Sequence, residues 1–106
     1  MKIPIEEQNC TRLIESANVK WFEADGNNTN ILLTDGNKIV STKTLKHYDV
    51  MLDEESFFRA HDKYLINLEY VYSHSRGRSI YVTMNCKTTI PVSVRRKSDY
   101  LKAIGE

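Results

Sequence analysis

Short apolar runs, rich in β-branched and aromatic residues, recur along the chain and are separated by polar turns. Runs of this kind predict strands. Asp35-Gly36 stands between two of them and is typical of a β-hairpin turn, while Pro4 favours an edge position for the first run because proline lacks an N–H. The predicted strands cover residues 2–5, 11–14, 19–24, 29–34, 38–42, 64–68, 71–74, 80–84 and 88–92. The pattern therefore predicts a mainly β fold.

Helical spacing replaces the strand pattern in a few places. Leu45, Tyr48 and Leu52 fall on one face, and a hydroxyl of Ser41, Thr42 or Thr44 can cap the start of this helix.

A second short helix is predicted over residues 56–61, because the acidic residues 53–55 suit the positive end of its dipole. Ser93 is the predicted cap of a last helix. The apolar stripe of that helix is expected to hold Val94, Leu101 and Ile104. The whole is a mainly β domain with two or three short helices.

The chain has 106 residues, of which 41% are apolar, so it is long enough for one domain with a modest core. No run approaches the roughly 18 to 20 apolar residues of a membrane helix, and the start, MKIPIEEQ, lacks the apolar core of a signal peptide. We therefore expect a single cytoplasmic domain over residues 1–106, without repeats or a linker.

The sequence contains no recognisable catalytic or metal-binding motif. Cys10 and Cys86 each stand alone, which makes a disulfide improbable, and the three histidines, His47, His61 and His74, are too widely spaced to indicate a metal site. No G-x-S-x-G, H-E-x-x-H or glycine-rich phosphate loop occurs. We expect neither an enzyme nor a cofactor.

The formal net charge of +1 conceals an asymmetry between the two halves of the chain. Residues 1–55 carry 6 Lys and Arg against 10 Asp and Glu, a balance of −4, whereas residues 56–106 carry 9 against 4, a balance of +5. A basic half is what a polyanion-binding face produces, although a plain solvated surface also gives such a split.

Three polar loops on the predicted β scaffold are candidates for recognition, because a scaffold fixes the direction of loop side chains. They lie at residues 25–30, 59–63 and 93–97. The candidate residues are Asn28, Thr29 and Asn30 in the first loop, Arg59, His61, Asp62 and Lys63 in the second, and Arg95, Arg96 and Lys97 in the third. The alternatives are ordinary surface turns and a solvated basic helix face. An arginine of the third loop has the donor geometry to read guanine.

The stretch from Phe57 to Asn67, FFRAHDKYLIN, resembles the motif F-x-R-x-H, followed by an apolar strand ending in Asn, of the LytTR family of bacterial DNA-binding domains. Further blocks in the same order are Phe22-Glu23-Ala24-Asp25-Gly26-Asn27, Thr29-Asn30-Ile31, Thr44-Leu45-Lys46 and Ile90-Pro91-Val92-Ser93. The resemblance covers nearly the whole chain. It implies an elongated antiparallel β-sheet sandwich that binds DNA through loops instead of a recognition helix.

Carried over by position, the DNA contacts implied by the resemblance fall on residues 28–30, on Asp62 with Lys63, and on Arg95, with Arg96 and Lys97 as phosphate partners. The loops are expected to enter successive major grooves. The chain also departs from the family pattern. Asp62 is an anion where the family often has a basic or amide residue, Lys63 replaces a common Ser, and Asn28 replaces a frequent Tyr.

The resemblance implies a role as the output domain of a bacterial two-component transcriptional regulator. The expected partners are double-stranded DNA with paired or repeated half-sites, a second copy of the chain on that DNA, and a receiver domain N-terminal to it in a parent protein or a separate histidine kinase system. No membrane partner is expected. The alternative is a protein-interaction module whose basic face docks an acidic partner. Aromatics exposed on a sheet face would favour an RNA binder, but the tyrosines at 64, 70, 72 and 81 show no RNP-like pattern.

Overall fold

The computed structural model describes residues 1–52 and 56–106 and shows a mainly β protein with ten strands and two short α-helices. The strands are β1 (Lys2–Glu6), β2 (Thr11–Glu15), β3 (Val19–Asp25), β4 (Asn28–Leu33), β5 (Lys38–Ser41), β6 (Phe57–His61), β7 (Tyr64–Asn67), β8 (Val71–His74), β9 (Ile80–Met84) and β10 (Thr89–Val92). The helices are α1 (Leu45–Met51) and α2 (Lys97–Ala103), and 3₁₀ turns cover Ser16–Asn18, Leu68–Tyr70 and Val94–Arg96.

The strands form three antiparallel sheets. β1 and β2 pair alone, the central sheet has the order β5-β4-β3-β7-β6, and the third sheet has the order β10-β9-β8. The molecule measures 44 × 24 × 22 Å along its principal axes. The predicted elongated antiparallel arrangement with short helices is confirmed.

The central sheet separates two apolar cores, one on each face. Neighbouring residues of one strand point to opposite faces, so Leu65 lies in the first core and Ile66 in the second. Phe22 and Trp21 divide in the same way. Both faces of the central sheet are therefore covered, the first by β1 and α1 and the second by the third sheet and α2.

Tyr48 of α1 organises the first core. Its ring is fully buried and stacks on Phe22 at 5.0 Å between centroids. Its hydroxyl accepts a hydrogen bond from the backbone N–H of Glu6, at 3.2 Å, and also bonds the hydroxyl of Ser41. One side chain thus joins α1 to the end of β1 and to the end of β5.

Tyr100 of α2 has the corresponding place in the second core. Its ring is fully buried and lies edge-on to Phe58, with 5.9 Å between centroids. Its hydroxyl is 3.1 Å from Nδ1 of His74, whose Nε2 lies 3.0 Å from the carboxylate of Glu106. The C-terminal helix is thereby attached to β8.

The predicted helix over residues 56–61 is wrong, because Phe57–His61 forms the edge strand β6. Phe57 packs in the first core, 5.6 Å from Phe22 between centroids, whereas Phe58 packs against the second. Only a strand sends adjacent side chains to opposite faces, and here both faces are apolar. The acidic residues 53–55, on which the helix prediction also depended, lie outside the described residues.

The predicted caps also differ from the structure. Thr44 is the residue before α1 and Ser93 precedes the last 3₁₀ turn, but neither side chain makes a capping hydrogen bond within the described residues. Ser41 instead bonds the backbone carbonyl of Glu6 at 2.9 Å. Val94 is 61% exposed and does not belong to the apolar stripe, since the chain is still in a 3₁₀ turn there.

The hairpin at Asp35-Gly36 is confirmed, since β4 and β5 pair across it with Leu32 opposite Lys38. Gly36 has φ +89°, a conformation that favours glycine. Neither α-helix of the described residues is long and apolar enough to cross a membrane.

The place of Tyr48 generates a stability prediction. Tyr48→Phe removes one hydroxyl, which takes away the acceptor of the Glu6 N–H and one of the hydrogen bonds of the Ser41 hydroxyl, so the free energy of unfolding should fall by about 1–2 kcal/mol. Urea denaturation measures this. The matched control is Tyr72→Phe, because Tyr72 is 79% exposed and the change should alter stability by less than about 0.5 kcal/mol. Equal effects of the two changes would contradict the assignment.

Candidate nucleic-acid interface

Two turns lie side by side at one end of the central sheet. The turn between β3 and β4 falls at Gly26-Asn27, and the turn between β6 and β7 falls at Asp62-Lys63. β3 and β7 are neighbours, and the N–H of Ala24 donates to the carbonyl of Lys63 at 2.8 Å. The sheet therefore brings together the first and second polar loops.

The third polar segment joins them after β10. The N–H of Ser93 donates to the carbonyl of Ala60 at 2.8 Å, and the Arg96 guanidinium donates to the carbonyl of Arg59 at 3.3 Å. We call these three segments together, residues 25–30, 59–63 and 93–97, the loop end of the domain. The sequence predicted each segment, and the tertiary structure gathers all three.

Arg59 fixes the shape of the second turn. Its Nε donates to the carbonyl of His61 at 2.9 Å, and its terminal nitrogens donate to the carbonyl of Asp62 at 2.6 Å and to the carboxylate of Asp49 at 3.2 Å. The side chain is only 18% exposed. The guanidinium fork thus holds two successive carbonyls of the turn and ties them to α1.

Asp62 stands at the tip of this turn and binds two cations of the third segment. One oxygen of its carboxylate accepts from Arg95 at 2.8 Å and from Arg96 at 3.1 Å. The hydrogen bond and charge of Arg95, with smaller contributions from Arg96 and Arg59, lower the pKa of the Asp62 carboxyl below its ordinary value. The side chains of Arg95 and Asp62 are 69% and 74% exposed, so this pair faces solvent.

The first turn contains one buried and two more accessible polar residues. Thr29 is fully buried, and its hydroxyl donates to the carbonyl of Lys43 at 2.8 Å. The expectation that Thr29 contacts a ligand is therefore corrected, because its hydroxyl fixes the chain after β5. Asn28 is exposed and Asn30 half-buried, and neither amide bonds another described side chain or backbone group.

Lys43 was not among the residues selected from the sequence. It is exposed and is held beside the first turn by its bond to Thr29. The signal that sequence reasoning missed is the pairing of Thr29 with Ser41, which brings the residues after β5 to the loop end.

The remaining candidate side chains differ in how far their polar groups are already bonded within the domain. Nδ1 of His61 accepts from the N–H of Lys63 at 3.2 Å, and the ammonium of Lys63 lies 5.9 Å from the ring centroid of Tyr64. The ammonium of Lys97 donates to the carbonyl of Gly77. Arg96 has a side chain only 22% exposed and is largely occupied by Asp62 and the carbonyl of Arg59.

The loop end can bind an anion or a polar edge, since it combines exposed cations, exposed amides and the carboxylates of Asp25 and Asp62 on a rigid sheet. Of the residues selected from the sequence, those with exposed side chains are Asn28, Asp62, Lys63 and Arg95, and exposed Lys43 lies beside them. Among the described residues, no group of three or more His, Cys, Asp or Glu is arranged to hold a metal ion.

Comparison with known proteins also indicates a DNA-binding domain. The family model of the LytTr DNA-binding domain matches residues 9–105. The chain belongs to this family. The resemblance noted in the sequence is confirmed.

A solved LytTr DNA-binding domain from Bacillus cereus, described as part of a response regulator, superposes on this chain with a TM-score of 0.82. The superposition covers 99% of this chain and 97% of the other, at 17% sequence identity. At this identity the match establishes the fold of this LytTr domain. No curated protein matches the chain significantly.

The LytTr family is defined by DNA binding and not by a catalytic activity, which agrees with the expectation of a non-enzymatic domain. Its motif F-x-R-x-H is here Phe57 to His61. Phe57 and Phe58 anchor the strand in the two cores, while Arg59 and His61 bond the turn that follows. Each member of the motif therefore has a physical role in holding this turn.

The role of Arg59 predicts a stability effect. Lysine keeps the charge but has no fork, so Arg59→Lys should lower the free energy of unfolding by about 1–3 kcal/mol and speed amide exchange at Asp62 and Lys63. The control is Arg12→Lys, which alters an ion pair with Glu7 through a side chain that is 52% exposed and should have little effect. Urea denaturation and hydrogen exchange measure both. Indistinguishable variants would refute the role of Arg59.

The charge environment of Asp62 predicts a titration. Its pKa is lowered in the folded state, so the ion pair is complete above the unfolded value of about 3.9 and is lost as pH falls through the lower folded value. Carboxyl-carbon NMR should show this, and Arg95→Gln should raise the pKa of Asp62. Arg12→Gln is the control and should leave the pKa of Asp62 unchanged. An unchanged pKa in Arg95→Gln would contradict the pairing.

Proposed function

We propose that this LytTr domain binds double-stranded DNA in a sequence-specific way through its loop end. The observation that carries the proposal is the convergence of three polar segments at one end of a doubly covered sheet. Asp62, Arg95 and Arg96 link the second segment to the third, and the N–H of Ala24 joins the first to the carbonyl of Lys63. A rigid scaffold with accessible cations and amides fits recognition of phosphates together with base edges.

Arg95 is the proposed base-reading residue. It is the more exposed of the two arginines beside Asp62, and its guanidinium retains donors that are not bonded to another described residue. A guanidinium with two free donors matches the O6 and N7 acceptors of guanine in the major groove.

Phosphate contacts are proposed for Lys63 and Lys97, with Lys43 added from the structure. An ammonium group supplies charge without the geometry that reads a base, so these residues contribute affinity on any sequence. Arg96, Arg59 and His61 are proposed as positioning residues, because their polar groups bond the loop end itself.

The first turn is proposed to make a separate groove contact through Asn28 and Asn30. An amide can pair with adenine N6 and N7 or bond a phosphate. The turn at Gly26-Asn27 and the turn at Asp62-Lys63 are carried by neighbouring strand pairs, so loops on both can enter the DNA from one side. Contacts in successive major grooves are the arrangement we propose.

In the cell, we propose that the domain acts as the output part of a bacterial two-component transcriptional regulator in the cytoplasm. Two copies would bind paired or repeated half-sites about one helical turn apart, on one face of the duplex. A receiver domain in the same protein, or a separate histidine kinase system, would supply the signal.

Titration of labelled duplex DNA at two salt concentrations tests the proposal. Arg95→Ala should weaken binding to a selected site by about 1–3 kcal/mol and relax its sequence preference, whereas Lys97→Ala should weaken all duplexes alike and lower the salt slope by about one. Lys38→Ala, which removes a lysine at the opposite end of the central sheet, is the control and should have little effect.

Single-stranded DNA, RNA and an acidic protein serve as competitors. Equal losses for Arg95→Ala on selected and random duplexes would remove Arg95 from base reading. Absence of duplex binding, with capture of the acidic protein by the loop end, would replace DNA binding with protein docking as the function.

A further inference from the structure

Asp62 places a negative charge at the centre of a surface proposed to bind a polyanion. Its side chain is 74% exposed, and its carboxylate is paired with Arg95 at 2.8 Å and with Arg96 at 3.1 Å. An exposed ion pair of this kind contributes little to stability. Stability alone therefore gives no reason for a carboxylate at this position.

The turn that carries the carboxylate is fixed by its backbone bonds, and Arg96 restrains the carboxylate itself. The carbonyl of Asp62 accepts from the Arg59 guanidinium, the N–H of Lys63 donates to His61, and Arg96 connects the carboxylate to the carbonyl of Arg59. These bonds limit how far the carboxylate can retreat when DNA approaches. Any group that takes the guanidinium of Arg95 must share it with Asp62 or displace it.

We propose that Asp62 is a specificity-determining residue, which withholds Arg95 from phosphates and leaves it available to a base edge. The inference rests on the proposed DNA-binding function. A phosphate that approaches Arg95 meets the charge of Asp62 at close range, and like charges repel. Guanine O6 and N7 are neutral acceptors, so the same carboxylate repels them far less and orients the guanidinium for them.

The consequence concerns the ratio of affinities. Phosphate contacts supply most of the binding to random DNA, whereas base contacts distinguish the selected site. A carboxylate that weakens one phosphate contact lowers affinity for random DNA more than for the selected site. Asp62 thus raises specificity at some cost in total affinity.

Asp62→Asn is the test, because it removes the charge and keeps the shape. Asp25→Asn is the matched control: Asp25 is exposed at the end of β3, at the same end of the sheet, and within the described residues it makes no ion pair. Both variants change the net charge by +1, so a general field effect acts on both. Amide NMR spectra establish that each remains folded.

Affinities for a selected duplex and for random duplexes are measured at several salt concentrations. Asp62→Asn should bind random DNA about three- to tenfold more tightly, with a salt slope steeper by about one, and its specificity ratio should fall by a similar factor. Asp25→Asn should show only the general effect of the added charge, which acts on selected and random DNA alike, so its gain on random DNA should be smaller and its specificity ratio unchanged. In an Arg95→Ala background, Asp62→Asn should have no more effect than Asp25→Asn.

Three results would overturn the inference. If Asp62→Asn and Asp25→Asn changed the affinities for selected and random DNA equally, Asp62 would act only through the general charge of the surface. Loss of binding to the selected duplex alone would make Asp62 a direct base reader, and an undiminished effect without Arg95 would exclude action through that residue. Each requires a wild-type protein that binds duplex DNA specifically, so failure of the proposed function is recognised separately, by a wild type that shows no such binding.

Discussion

The loop end depends on the guanidinium of Arg59. This group forms hydrogen bonds with two successive carbonyls of the β6–β7 turn and with the carboxylate of Asp49 on α1. A planar fork with fixed donor directions leaves the turn little freedom. Asp62 therefore has a defined position. Because Arg95 and Arg96 bond Asp62, the same contact also defines where the third segment lies. One half-buried cation thus controls where several exposed groups can act.

The central sheet supplies the rigidity behind this contact. Both of its faces are packed, and β6 is held in place by Phe57 in one core and by Phe58 against the other. An edge strand fixed on both faces cannot easily twist away or slip in register. The turn at the end of β6 is therefore held rigidly. A loop on a sheet packed on only one face would have more freedom to move. Thr29 does the same for the first turn by bonding the chain after β5.

The local distribution of charge on the domain bears more on its attraction for DNA than its net charge does. The net charge of +1 would suggest a weak attraction for DNA, yet the loop end collects cations from its second and third segments, and the carboxylate of Asp62 binds two of them. Cations attract every duplex, whereas a carboxylate that occupies an arginine makes the attraction selective. An exposed ion pair in a binding surface can thus act by keeping one of its members from contacting other groups.

The sequence alone determined the features that depend on near neighbours. Strand periodicity, the Asp35-Gly36 hairpin, the helix around Tyr48 and the three polar loops all follow from residues within about ten positions of one another, and the F-x-R-x-H motif indicated the family. Tertiary structure decided the rest. Phe57–His61 is a strand because two cores enclose it, and Thr29 is a buried anchor because Lys43 lies against it. Asp62 pairs with Arg95, 33 positions further along the chain, because two sheets place them together. Such pairings are set by the packing of distant elements, which no local pattern of residues specifies.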